Sequence, residues 1–205
     1  MKVEIEIPDL SRWVEGFPEY WMQLIFGGNR PPDPTGHSLL TGYIRLTEAA
    51  VRFYERGRLL TQHAWTTHTQ IELGALNDAS TSFEASFTNL YRAALFMIQI
   101  RRSLLLDQAF RRGLGDKPTF VSNIDRIRAF RRRIHHLDAD ILSGKIASGK
   151  PNFLQSEGDI SKQNGVDVKV IHRLQIGDMQ VSFKEIASWL TEMAEAGAHI
   201  SSHRW

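Results

Sequence analysis

The chain predicts an all-α fold, an antiparallel helical bundle of about four long helices, with a small C-terminal β-hairpin followed by a last helix. Three observations predict it. Apolar residues recur at helical spacing through 39–60, 83–105, 120–141 and 186–196. Glycine or proline punctuates the ends of most of these stretches. Apart from the first seven residues, a period of two is confined to 166–176 and 179–183. One domain is expected over 1–205, with core helices at 1–145 and a loop, hairpin and C-terminal helix at 146–205.

In order, residues 1–7 alternate polar with apolar and read as a short strand or extended arm. Leu10, Trp13, Val14, Phe17, Trp21, Leu24 and Ile25 have helical spacing, interrupted by Gly16 and Pro18. Proline suits a first helical turn, so a helix is expected to start near Pro18. The Gly- and Pro-rich residues 27–34 end it in a loop and lack the G-x-x-x-x-G-K pattern of a phosphate cradle. A second helix covers 35–62. Thr81 with Glu84 forms a capping box for a third, with Ser80 and Ser82 as alternative caps; it runs to about Phe110 and is closed by Gly113 and Gly115. Pro118 opens a fourth, with Phe120, Ile124, Ile127, Phe130, Ile134, Leu137 and Ile141 as its apolar stripe and Gly144 as its end. The polar residues 143–165 read as a loop or mobile crossover. The hairpin turns at Gly177-Asp178, and 184–200 form the last amphipathic helix.

Composition removes several classes of function. With no cysteine there are no disulfides, thiol chemistry or sulfur-ligated zinc. The most apolar stretch, 93–106, is broken by Gln99, Arg101 and Arg102 and is too short to span a bilayer. The alternating N-terminus lacks the apolar core of a signal peptide, so no membrane association and a cytoplasmic location are expected. A 42% apolar, 23% charged composition argues for a folded chain. No cofactor is called for.

The overall charge of +2 hides a strong asymmetry. Between Arg101 and His136, ten cations stand against three aspartates, leaving +7. Nine of those ten are arginines, whose forked guanidinium suits bidentate phosphate contacts, so the segment reads either as a surface that attracts a polyanion such as a nucleic acid or as a solvated face that pairs with an acidic neighbour in a dimer. At its end stands Arg128-Ala129-Phe130-Arg131-Arg132-Arg133-Ile134-His135-His136-Leu137-Asp138. On a helix Arg131 and His135, or Arg132 and His136, share a face, and Arg131 is within side-chain reach of His136. Arginine holds its charge at any physiological pH, while histidine exchanges protons near neutrality.

Arg131-x4-His136, with Asp138 two residues on, resembles the R-x4-6-H signature of HEPN domains, all-helical proteins of which many are metal-independent ribonucleases. Where the motif usually has a small polar residue after its arginine, this chain has Arg132. The resemblance covers mainly residues 83–145. It implies a homodimer whose two motifs face one composite cleft, with Arg131 stabilising the phosphate and His136 transferring the proton. His135 and Asp138 would support them, Asp138 either orienting the His136 imidazole or pairing with an arginine. Arg128, Arg132 and Arg133 would extend a path for the RNA backbone. The implied setting is a toxin–antitoxin or defence system with a cognate antitoxin. The alternative is a non-catalytic helical dimerisation or interaction module that binds a protein partner or nucleotide.

His63 with His68 and His199 with His203 have metal-like spacing but no third ligand nearby, so no metal site is expected. Cations beside His135, His136 and Asp138 would repel a divalent ion there. Trp13, Trp21, Trp65 and Trp189 lie on apolar stripes and are expected in the core.

Overall fold

A computed structural model describes residues 2–26, 30–66, 72–144, 151 and 153–205, with the backbone alone at Thr66 and Asp138. Of the sequence expectations, residues 27–29 of the first loop, His68, and 145–150 and 152 of the crossover lie outside the described residues. The elements follow in the order β1 (Lys2–Ile5), α1 (Ser11–Ile25), α2 (Pro34–Thr66), α3 (Leu73–Arg102), α4 (Gln108–Gly113), α5 (Thr119–Ser122), α6 (Ile124–His135), α7 (Leu137–Leu142), β2 (Gln155–Gln163), β3 (Val166–Ile176), β4 (Met179–Ser182) and α8 (Phe183–Ser202).

The expected all-α bundle is corrected by a four-stranded mixed sheet. The hairpin of β3 and β4 is present, Ile176 facing Met179 across a two-residue turn in which Gly177 takes φ 59°. The segment expected as a loop instead supplies β2, antiparallel to β3 along most of its length. Asn164 at φ 49° and Gly165 at φ 82° make the turn between them, the left-handed pair that a two-residue type I′ hairpin requires. On the other edge of β3, β1 pairs parallel with Val168–Ile171 and β4 follows beyond it.

Contacts divide the chain into two compact units. The first comprises Met1–Asp9, Phe53–Ala85 and Ala129–Ser188 and contains the sheet. Its core includes Ile171, Leu174, Ile176 and Val181, all buried, and the rings of Tyr54, Phe83 and Phe183. These rings pack with centroids 5.2–6.4 Å apart. Gly57 lets α2 meet α3 here, since a Cβ would come within 2.8 Å of the Phe83 ring. Arg58 is buried but doubly paired, 2.7 Å from Glu55 and 3.1 Å from Asp9, which offsets part of its desolvation. Ser182 and Glu185 form a reciprocal capping box at the start of α8.

The second unit comprises Leu10–Arg52, Ser86–Arg128 and Trp189–Trp205. Helix α1 begins at Ser11 and carries Pro18 in its interior, where the expected start was Pro18 itself. The buried Tyr43 hydroxyl donates 3.0 Å to the Met193 carbonyl, and Ser86 donates 2.8 Å to Ala50. Helix α3 ends at Arg102, short of the expected Phe110. Asp107 then caps α4, its carboxylate accepting from the backbone N–H groups of Ala109 and Phe110. Of the four tryptophans expected in the core, Trp189 is buried and Trp13, Trp21 and Trp65 are half-buried.

Candidate functional site

The expected motif helix from Pro118 to Gly144 is three helices, α5, α6 and α7, separated at Asn123 and at His136. His136 leaves helical geometry at φ −117° and ψ 25°. Its N–H still donates 3.0 Å to the Arg132 carbonyl, and its own carbonyl accepts from Asp140 at 3.0 Å. The break therefore leaves the hydrogen bonding of the His136 backbone itself in place. Burial of Ile127 and Phe130 fixes the rotation of α6 and turns its arginines toward its other faces. Arg132, Arg133 and His135 occupy the last turn, where positive charge complements the helix dipole.

Within the first unit, Arg131 is half-buried and Arg132, His135 and His136 are exposed. Desolvation first, then the charges of Arg131 and His136, hold the His135 imidazole below its ordinary value of 6.5. Arg131 and His136 thus lie near enough for their charge to be felt at the His135 ring. Among the described residues, Arg132 has no ion pair or side-chain hydrogen bond.

The other two arginines expected to contact RNA are engaged within the fold. Arg133 donates to Asp140 at 3.1 Å and Asp178 at 3.2 Å, tying α6 to α7 and to the β3–β4 turn. Arg128 belongs to the second unit, where it lies 3.0 Å from Asp125 and donates 3.2 Å to the Tyr91 hydroxyl. The Asp138 side chain lies outside the described residues. Of the histidines with metal-like spacing, His63 lies 3.0 Å from Glu72. His199 and His203 pack with Phe110, and His203 also with Trp205. Among the described residues no three or more His, Asp or Glu side chains gather as metal ligands would.

The sheet assembles a further polar cluster that sequence reasoning missed. His172 is the extra residue of a β-bulge, because Glu157 faces Arg173 while Gly158 faces Ile171. Arg173 donates 2.8 Å to Asp159, and the His172 Nε2 atom lies 3.0 Å from Arg173 and 3.4 Å from Asp159. The Arg173 hydrogen bond, against desolvation, holds the Asp159 carboxyl below its ordinary value. The Asn164-Gly165 turn was the signal: counting back from it sets Asp159 opposite Val170.

No family model, curated protein or solved structure matches this chain. Among the described residues no helix is long and apolar enough to cross a membrane.

Proposed function

We propose that this chain binds RNA and cleaves it without a metal ion, using Arg131, His135 and His136. The observation that carries the reading is the grouping of a half-buried arginine, a histidine kept neutral and an adjacent exposed histidine at the end of α6. His135, neutral at pH 7, takes the proton of a ribose 2′-hydroxyl, whose oxygen attacks the neighbouring phosphorus. Arg131 stabilises the negative charge that develops on the phosphorane oxygens. The 5′-oxygen leaves with a proton from His136, yielding a 2′,3′-cyclic phosphate and a 5′-hydroxyl. Arg132 holds the backbone of the strand.

Pairing of two copies fits the same reading. Ile141 and Leu142 on α7 are 45% and 88% exposed just beyond His136, apolar surface that a second copy would cover. Such a homodimer would bring two sets of reacting groups to one phosphate, and a cognate antitoxin would have the basic α6 to dock on. The test is RNA cleavage in a chelator by the wild type and by Arg131→Ala, His135→Ala and His136→Ala. Each substitution should lower the rate by about a hundredfold or more with the helical fold intact. Activity that survives any one of these substitutions near the wild-type rate, or that needs a divalent metal, overturns the assignment.

A second reading has its own support. Because Arg128 and Arg133 are held by carboxylates of this chain, part of the arginine cluster is structural. A non-catalytic module that docks on an acidic protein partner would need no more. It predicts a folded protein inert toward varied RNAs.

A further inference from the structure

Three cations of the arginine-rich segment, Arg101, Arg102 and Lys117, line a cavity of about 450 Å³ in the second unit, together with Ile98, Val121 and Ile124. Val121 is buried, Ile98 and Ile124 are half-buried, and these three make an apolar floor. The Arg101 guanidinium is fixed by backbone carbonyls, donating to Gly115 at 2.9 Å, Asp116 at 3.3 Å and Leu114 at 3.5 Å. Those bonds use its terminal nitrogens and leave its charge without a carboxylate. Arg102 and Lys117 are exposed, and among the described residues neither has an ion pair or side-chain hydrogen bond. Of the nearby acids, Asp125 is paired with Arg128, and Asp116 adjoins Lys117 in sequence.

A hollow of this size falls within the range of small-molecule sites, and its lining has two unmet demands. Its cations repel one another, and its aliphatic side chains stay partly wet. A bare inorganic anion answers only the first, and a neutral apolar molecule only the second. We propose that the cavity binds an organic anion with an aliphatic body of medium chain length, a carboxylate or a phosphate monoester. The anionic head sits between Arg102 and Lys117, and the body rests on Ile98, Val121 and Ile124. The flat, immobilised face of Arg101 packs against that body and adds its charge. The site is independent of the RNA reading, since none of its residues belongs to the reacting group at the end of α6.

The test is calorimetric titration of the full chain with octanoate, octyl phosphate, octanol and inorganic phosphate. One octyl anion should bind per chain, with octanol and inorganic phosphate weaker by about tenfold or more. Tighter binding of one octyl anion upholds the site and names the head group. In the double substitution Arg102→Glu with Lys117→Glu, both at exposed positions, affinity for the octyl anions should fall by about tenfold with the circular dichroism spectrum unchanged. Octanol binding as tightly as octanoate, an unchanged affinity in the double variant, or no binding of either octyl anion overturns the proposal.

Discussion

The Arg133 guanidinium lies 3.1 Å from the Asp140 carboxylate, with both side chains largely withdrawn from solvent. The pair spans the helix break at His136, so a residue that reads in the sequence as an RNA contact acts in the fold as a brace. Arg133→Ala should therefore cost about 1–2 kcal/mol of stability, measured by chemical denaturation. The neighbouring Arg132→Ala should stay within about 0.5 kcal/mol of the wild type while reducing both RNA affinity and its salt dependence. The reverse pattern would reassign the two arginines.

The pH behaviour of His135 follows from its surroundings. Its titration, followed by the ring-proton resonances, should have a midpoint below 6.5, and Arg131→Ala should raise it. The native imidazole binds its proton less readily than the unfolded one, so the unfolded state takes up more protons. This contribution to stability falls as pH drops from 6.5 through the native midpoint. RNA cleavage should rise as pH climbs through that midpoint, where the neutral base forms. A wild-type midpoint above 6.5 would remove His135 from the role of base.

Two glycines should respond oppositely to alanine. A Cβ at Gly158 would run into the Val170 carbonyl oxygen beside the bulge, whereas one at Gly74 in α3 meets nothing within 4 Å. Gly158→Ala should destabilise by about 2 kcal/mol or more, because the obstacle is backbone that cannot move aside. Gly74→Ala should stabilise by about 0.5 kcal/mol by restricting the unfolded chain. Equal denaturation midpoints for the two variants would contradict the register of β2 on β3.

Assembly is testable at α7. Light scattering at micromolar concentration should report a dimer for the wild type, and Leu142→Glu should shift it toward monomer while leaving the helical signal intact. A wild-type monomer that cleaves RNA would dissociate the chemistry from pairing.

The sequence held more than its apolar periodicity revealed. The β3–β4 hairpin was legible because its alternation is bounded by Gly177-Asp178. Strand β2 was not, because Gln155–Gln163 is polar and mostly exposed at its far end, leaving no buried face to write a period of two. Its Asn164-Gly165 turn was nonetheless a direct signal. The start of α3 was misplaced because Ser80, Thr81 and Ser82 resembled caps. Their hydroxyls instead donate to carbonyls four residues back, as such side chains do inside a helix. At the candidate site, composition and spacing marked the arginines and histidines. They could not divide Arg132 from Arg133, since that division depends on Asp140, brought back to α6 across the break at His136, and on Asp178, which is far away in sequence and close only once the sheet has formed.

The parallel ladder that sets Lys2 opposite Val168 also fixes an order of events. When β1 leaves the ribosome, the edge it pairs with has not been translated, and a parallel partner cannot be supplied by a local hairpin. The unit that contains it is complete only when Ser188 has emerged. Until then Tyr54 and Phe83 lack Phe183, the third ring of their cluster. Contacts so distant along the chain are slow to close, and the apolar surface waiting for them is what chaperones recognise. Strand β1 can dock only after β3 has been made.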